Sequence, residues 1–297
     1  MRVSFDEVSA NKWKSVVLIS FFIILIGVLG AVIGILYADI YIGIIMAVIV
    51  AIIYSFFGFF SGNNMILAMT GAKPVTKKEY PYLYHTIEGL SIAAGIPVPK
   101  AYVIEDSAMN AFATGRDPEH ASITVTTGLL KVLDRQELEG VIAHEMSHIK
   151  NYDVRFMMLT VVLVGIVTLL SDFLLRSFLW GGGKRDSDNK VGIILIVVGL
   201  ALAILTPIIG QLIKLAISRK REFAADANAV VLTRYPPGLT GALAKISKDP
   251  DPLVDKANRA TAPLFISTPF RKKSGYVTAL FSTHPPIDER IARLKEM

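Results

Sequence analysis

The chain of 297 residues contains no cysteine, which excludes disulfides and thiolate metal ligands. Any transition-metal site in it must be built from histidine and carboxylates, and histidine is itself scarce, with five in the chain. Charge is missing in a more local way. Four blocks carry almost none: Val16 to Leu36, Ile40 to Phe60, Phe156 to Leu170 with a weaker extension to Trp180, and Val191 to Ile213. Internal repeats and low-complexity tracts are absent too, and inverted repeats are the feature that would favour transport.

What is present is hydrophobic sequence, 53% of all residues. A helix crossing a bilayer core of about 30 Å needs roughly 20 apolar residues, and the first, second and fourth blocks meet that requirement. The third is interrupted by Asp172 and Arg176, four apart and able to pair on one helical face, with Trp180 as an interfacial anchor. The first block is too long for a signal-peptide core and a second span follows at once, so it reads as an uncleaved anchor. Arg2, Lys12 and Lys14 precede the first span, Lys73, Lys77 and Lys78 follow the second, and Lys214, Arg219, Lys220 and Arg221 follow the fourth. The positive-inside rule places these segments, and both termini, in the cytoplasm. The loop Gly181 to Lys190 runs against this pattern, with Lys184, Arg185 and Lys190 on the outer side, and leaves a shallow re-entrant second hairpin as an alternative.

The net charge of +6 needs no nucleic-acid partner. Basic clusters beside spans face an anionic leaflet, and no aromatic–basic interleaving is present. The expected fold is an α-helical integral membrane protein with four transmembrane helices and a cytoplasmic α+β domain carrying a small β-sheet. Its organisation is a transmembrane hairpin over 1–60, half of the cytoplasmic domain over 61–155, a second hairpin over 156–217 and the other half over 218–297. The sequence from Thr76 predicts an amphipathic helix with Leu83, Ile87, Leu90 and Ile92 on one face, ended by Gly95 and Pro97. Three strands are expected in KAYVIE from Lys100, NAFATG from Asn110 and ASITVTTG from Ala121. Asp134 and Glu137 form a capping-box pattern opening a helix that reads without a turn into the third apolar block. A helix through SRKREFAADANAVVLT should break at Pro236, Pro237 and Gly238, with a short helix near Gly241 to Ser247 and a long loop from Lys248 to Ser282. Pro286 suits the first turn of a last helix with Ile287, Ile291 and Leu294 on one face.

The chemistry lies in HEMSH, an H-E-x-x-H pattern at His144, Glu145 and His148. Residues four apart on a helix share a face, so two imidazoles can converge on one ion while Glu145 is held beside it to take a proton from water. Chance gives this pattern in fewer than about one in a hundred chains of this length. A catalytic zinc site needs three protein ligands and one open position. The subclass with a third histidine six residues on is excluded by Val154, and Asp153 lies off the face that carries the pair. The second polar segment remains, where REFAADA sets Glu222 and Asp226 four apart on a helix.

The sequence resembles the HtpX-type membrane zinc metalloproteases, gluzincins related to the prenyl-protein endoproteases that process CAAX-type precursors. The resemblance runs through NAFATG, TGLL, AHEMSHIKNYD, SRKREFAADA and THPPIDERI in that order. It implies that His144, His148 and Glu222 bind one zinc ion per chain, that Glu145 is the general base, and that Asp226 hydrogen-bonds a liganding histidine. It further implies that NAFATG is an edge strand on which Asn110, Ala111 and Phe112 contact an extended substrate. His284 would donate to the oxyanion, with Arg290 as its partner or in a structural salt bridge; His85 and His120 match no motif. The implied partners are the lipid bilayer and polypeptide substrates, membrane-associated or unfolded, in protein quality control at the cytoplasmic membrane. A processing protease for lipidated or terminal motifs, and a membrane scaffold or transporter with a structural zinc, are the alternatives. The oligomeric state is not encoded in any motif.

Overall fold

The computed structural model describes residues 2–36, 39–165, 219–249, 261, 264–267 and 285–297. Two helices open the chain, α1 (Arg2–Leu36) and α2 (Ile40–Met69). Asp39 starts α2 by accepting bonds from the amides of Tyr41 and Ile42. The hairpin packs closely because a Cβ at Gly30 would strike Ala47 and the Gly43 carbonyl. Both helices contain stretches long and apolar enough to cross a membrane, Glu7–Ala31 and Ile40–Met69. On α2 the outward face exposes Ile45, Ile49, Ile52 and Phe56, a stripe that water would not favour. The 35 residues of α1 are about 52 Å long, well beyond a bilayer core of about 30 Å, so the turns before Val16 project from the apolar run.

A small mixed sheet follows. Its strands β1 (Lys73–Pro74), β2 (Lys100–Ile104), β3 (Ala111–Gly115) and β4 (Ala121–Thr126) lie in the order β1-β2-β4-β3. β2 and β4 are parallel and the outer pairs antiparallel, which leaves β3 at an edge. Helix α3 (Pro81–Ala94) covers the sheet with Leu83, Ile87 and Leu90, and Gly95 closes it in the left-handed conformation, φ +68°. Ile92, expected on the same face, is instead 81% exposed. Two residues beyond Leu90 is about 200° round a helix, which turns it to the opposite side.

The helix α4 (Thr127–Val132) takes up the end of the third predicted strand, because the Thr126 hydroxyl caps it by accepting from the Leu129 amide. Helix α5 (Arg135–Lys150) begins with the expected capping box: Asp134 accepts from the Glu137 amide and Glu137 from the Asp134 amide. Its face packs Val141, Ile142 and Met146 into the same core as Ile123 and Val125 of β4.

Contrary to the sequence reading, α5 does not run on into the apolar block. Asn151 caps it and Tyr152 adopts φ 60°, a left-handed residue that breaks the helix before α6 begins at 153 and continues to 165. The rest of the third apolar block and the whole fourth lie outside the described residues, as do residues 250–260, 262–263 and 268–284, which take in His284 and most of the loop expected from Lys248 to Ser282. Helix α7 is described from Arg219 to Thr233. Helix α8 (Pro236–Ser247) starts at the prolines read as a break, since proline lacks only an amide that the first turn would leave unpaired. It reaches α5 across Gly140, where any Cβ would meet the Leu239 backbone. Helix α9 (Ile287–Leu294) closes the chain, with Leu294 buried and Ile287 and Ile291 packed at the edge of the core.

Candidate metal centre

Two helices carry the donors: α5 presents His144 and His148 and α7 presents Glu222, all buried at 1%, 4% and 3% exposure. The two imidazoles stand edge to face at 88° with their Nε2 atoms 3.2 Å apart. The Glu222 oxygens lie 3.5 Å from His148 Nε2 and 3.7 Å from His144 Nε2. Nitrogen and oxygen ligands about 2.0–2.1 Å from a tetrahedral zinc are separated from one another by about 3.3 Å. The contacts to Glu222 are made by its two different oxygens, and one donor atom from each of the three residues lies within 4.8 Å of the others, close enough to share one ion. Nitrogen and carboxylate donors without sulfur match the metal expected from the absence of cysteine.

The other ring nitrogens are held by carboxylates. His144 Nδ1 meets Asp226 Oδ1 at 2.9 Å and His148 Nδ1 meets Asp153 Oδ2 at 3.0 Å. A carboxylate on Nδ1 fixes the proton there and leaves the Nε2 lone pair for metal. Asp226 is itself gripped by Arg290, whose Nε and Nη2 donate to its two oxygens at 2.9 and 2.7 Å. Arg290 also donates to the Ile266 carbonyl at 3.3 Å and has no exposed surface.

These contacts set the electrostatics. Burial acts against a charged His148, yet the Asp153 bond and the charges of Glu222 and Glu145 outweigh it and lift its pKa to about 9. Burial alone would raise Asp226, but Arg290 foremost, then the His144 bond, hold it down at about 2. Arg290 is stabilised as a cation by Asp226 against its own burial. Zinc must displace the proton that His148 holds below about pH 9. Apparent zinc affinity should therefore fall as pH falls, by about tenfold per unit below that value. Competition with a chromophoric chelator at several pH values measures this, and a pH-independent affinity contradicts it.

Glu145 lies beside His144 in the chain, 2% exposed, and its charge acts on both His148 and Arg290. Asn110 immediately precedes β3 and Ala111 and Phe112 begin it; residues 264–267 follow its open side. The Ile266 amide donates to the Ala111 carbonyl at 2.9 Å, and Asn110 Nδ2 donates to the Ser267 carbonyl at 3.1 Å. Phe112 is buried edge to face with Phe265 at 5.0 Å. The register turns the backbone groups of Ala113 and Gly115 to that same open side.

Asp153, off the ligand face by helical spacing, holds His148 in the structure, a role outside the sequence expectations. The signal was Asn151, a helix-stop residue: a chain reversed there brings Asp153 back over the last turn of α5. Arg290 was paired in expectation with His284 or with an unnamed carboxylate; its partner in the structure is Asp226.

Two helices that converge two imidazoles and a glutamate on one point, with the glutamate of H-E-x-x-H beside them, define a zinc metallopeptidase. A model of Peptidase family M48 matches residues 77–297. Proteins described as protease HtpX homologs are similar along the chain. That of Dictyoglomus thermophilum is 47% identical over 293 residues, covering 99% of this chain and 94% of its own. That of Streptococcus gordonii is 42% identical over 298 residues, 99% of each chain. The crystal structure of S. mikatae Ste24p shares the fold with a TM-score of 0.51 at 20% identity, covering 98% of this chain and 67% of that one. The chain belongs to peptidase family M48, as a member of its HtpX group, and His144, His148 and Glu222 are its zinc site.

Proposed function

We propose that this metallopeptidase is an endopeptidase of the cytoplasmic membrane that hydrolyses membrane-associated or unfolded polypeptides at the cytoplasmic face, in protein quality control. The observation that carries the reading is the direct packing of the peptidase fold on a long apolar hairpin: Phe112 of β3 and Phe156 of α6 share one core with Leu18, Phe22 and Ile66 of α1 and α2. A site fixed to such a hairpin meets chains that are tethered or extruded at the bilayer surface.

Zinc, when bound, supplies a Lewis acid that polarises the scissile carbonyl and lowers the pKa of water toward about 7. The Glu145 carboxylate takes a proton from the attacking water and passes it to the departing amine. Asp226 and Asp153 keep the Nδ1 protons of the liganding histidines in place, and Arg290 locks Asp226. An extended substrate adds to the open side of β3. Asn110, Ala111 and Phe112 stand at the end of that strand where residues 264–267 already pair, and Ala113 and Gly115 supply further rungs. His284, outside the described residues, is the proposed donor to the oxyanion.

In proteoliposomes, an unfolded substrate tethered to the membrane should be cut at several sites, and its folded counterpart should survive. A single defined cut in both forms contradicts the quality-control reading.

A further inference from the structure

The region matched by the family model begins at residue 77, yet the outer support of the zinc site includes a side chain from α1. Asn11, 2% exposed, donates from Nδ2 to Asp153 Oδ1 at 2.7 Å and to the Asn151 carbonyl at 2.9 Å. Its Oδ1 faces two cations, Lys14 Nζ at 3.3 Å and Arg221 Nη1 at 3.5 Å. The amide can be satisfied in only one orientation: both donors meet acceptors, and the acceptor meets donors. The other oxygen of Asp153 holds His148 Nδ1 at 3.0 Å. One carboxylate therefore bridges the first helix and a zinc ligand.

The bridge has a structural reason. Tyr152, at φ 60°, turns the chain so that Asp153 lies back over α5, and Asn11 binds both the carbonyl before this turn and the carboxylate after it. Arg221 also reaches Asp153 Oδ1, at 3.4 Å, but from a longer distance and on a flexible stem. Asn11 is the short, buried, neutral donor, and it fixes the rotation of the carboxylate about its own axis. We propose that Asn11 is a positioning residue of the metal centre: through Asp153 it keeps the His148 imidazole in the plane and tautomer that zinc requires. The first helix is then part of the peptidase site as well as an anchor. Asn11 stands five residues before the apolar run at Val16, so this link lies about 8 Å from the start of that run.

The test is zinc affinity of the purified full-length chain in detergent, measured by chelator competition, with no need for a substrate. Asp153→Asn, which removes the direct partner of His148, should raise the zinc dissociation constant about 10- to 100-fold, and Asn11→Leu, acting one bond further out, should raise it severalfold, by less than Asp153→Asn. Leu18→Ala, which thins the packing of the same helix without touching Asp153, controls for lost stability and should leave zinc affinity near wild type. In an Asp153→Asn background, Asn11→Leu should cost little more, because its route to the metal is already broken. Where Asn11→Leu does not fold, Asn11→Ser, too short to reach Asp153, takes its place with the same outcomes. Wild-type zinc affinity in the Asn11 variant, an equal loss in Leu18→Ala, or full additivity with Asp153→Asn would each overturn the proposal.

Discussion

Glu145→Gln should retain its zinc and lose peptide hydrolysis by about 10²- to 10⁴-fold in kcat, the range that a positioned general base contributes. Glutamine has the same shape as glutamate but cannot accept the water proton. His144, His148 and Glu222 converge on the ion without help from Glu145, so metal content should stay at one zinc per chain. The pairing of the two readouts is what makes the result specific. If zinc falls together with activity, Glu145 is structural; if both stay at wild-type levels, its assignment as the base is wrong.

The largest effect on stability should come from Arg290→Met. Arg290 has no exposed surface, and it neutralises Asp226, which is 2% exposed, through two short bonds. Removing the cation leaves a buried carboxylate without its counter-charge, a change that costs about 3–5 kcal/mol. That corresponds to a fall in Tm of roughly 10 °C for a chain of this size. The sign of the pH dependence follows from Asp226. Its pKa is held below the ordinary value of 3.8, at about 2, so the stabilisation it gives is complete above the ordinary value and is lost as pH falls toward 2. The Arg290→Met penalty should accordingly be full at neutral pH and shrink as pH falls from there toward 2, because burial raises the Asp226 carboxyl once the cation is gone and it protonates earlier in the variant than in the wild type. Thermal unfolding across that range checks it. A variant as stable as wild type at neutral pH would mean that the ion pair is dispensable to the fold. Zinc binding should weaken as well, since His144 Nδ1 depends on the same carboxylate.

Much of the centre could be read before the structure because its parts are local. HEMSH needs only helical spacing to bring His144 and His148 together, and the pair Glu222 and Asp226 follows the same rule on its own helix. The strands expected from Lys100, Asn110 and Ala121 were legible as short segments bounded by turn residues. What was missed depends on chain reversals and on distant partners. Asp153 is placed by a single left-handed residue, Tyr152, which no periodicity announces. Asn11 lies 142 positions from the carboxylate it binds, and a polar residue ahead of an apolar helix carries no mark of such a contact. The family resemblance marks Arg290 as a partner of His284 or part of a structural salt bridge without naming the carboxylate. Only the tertiary fold reveals it as the buried clamp of Asp226. Ile92 departs from expectation for a simpler reason: two positions past Leu90, it falls on the opposite side of the helix from the buried face.

The central claim is that this chain cleaves polypeptides with a zinc ion held by His144, His148 and Glu222. Its most direct test is incubation of the detergent-solubilised, full-length protein with an unfolded protein, before and after zinc is removed by a chelator and then restored. Cleavage should stop on removal and return with zinc, and it should not return in Glu222→Ala. Cleavage that continues undiminished without zinc, or that zinc restores equally in Glu222→Ala, would contradict the account.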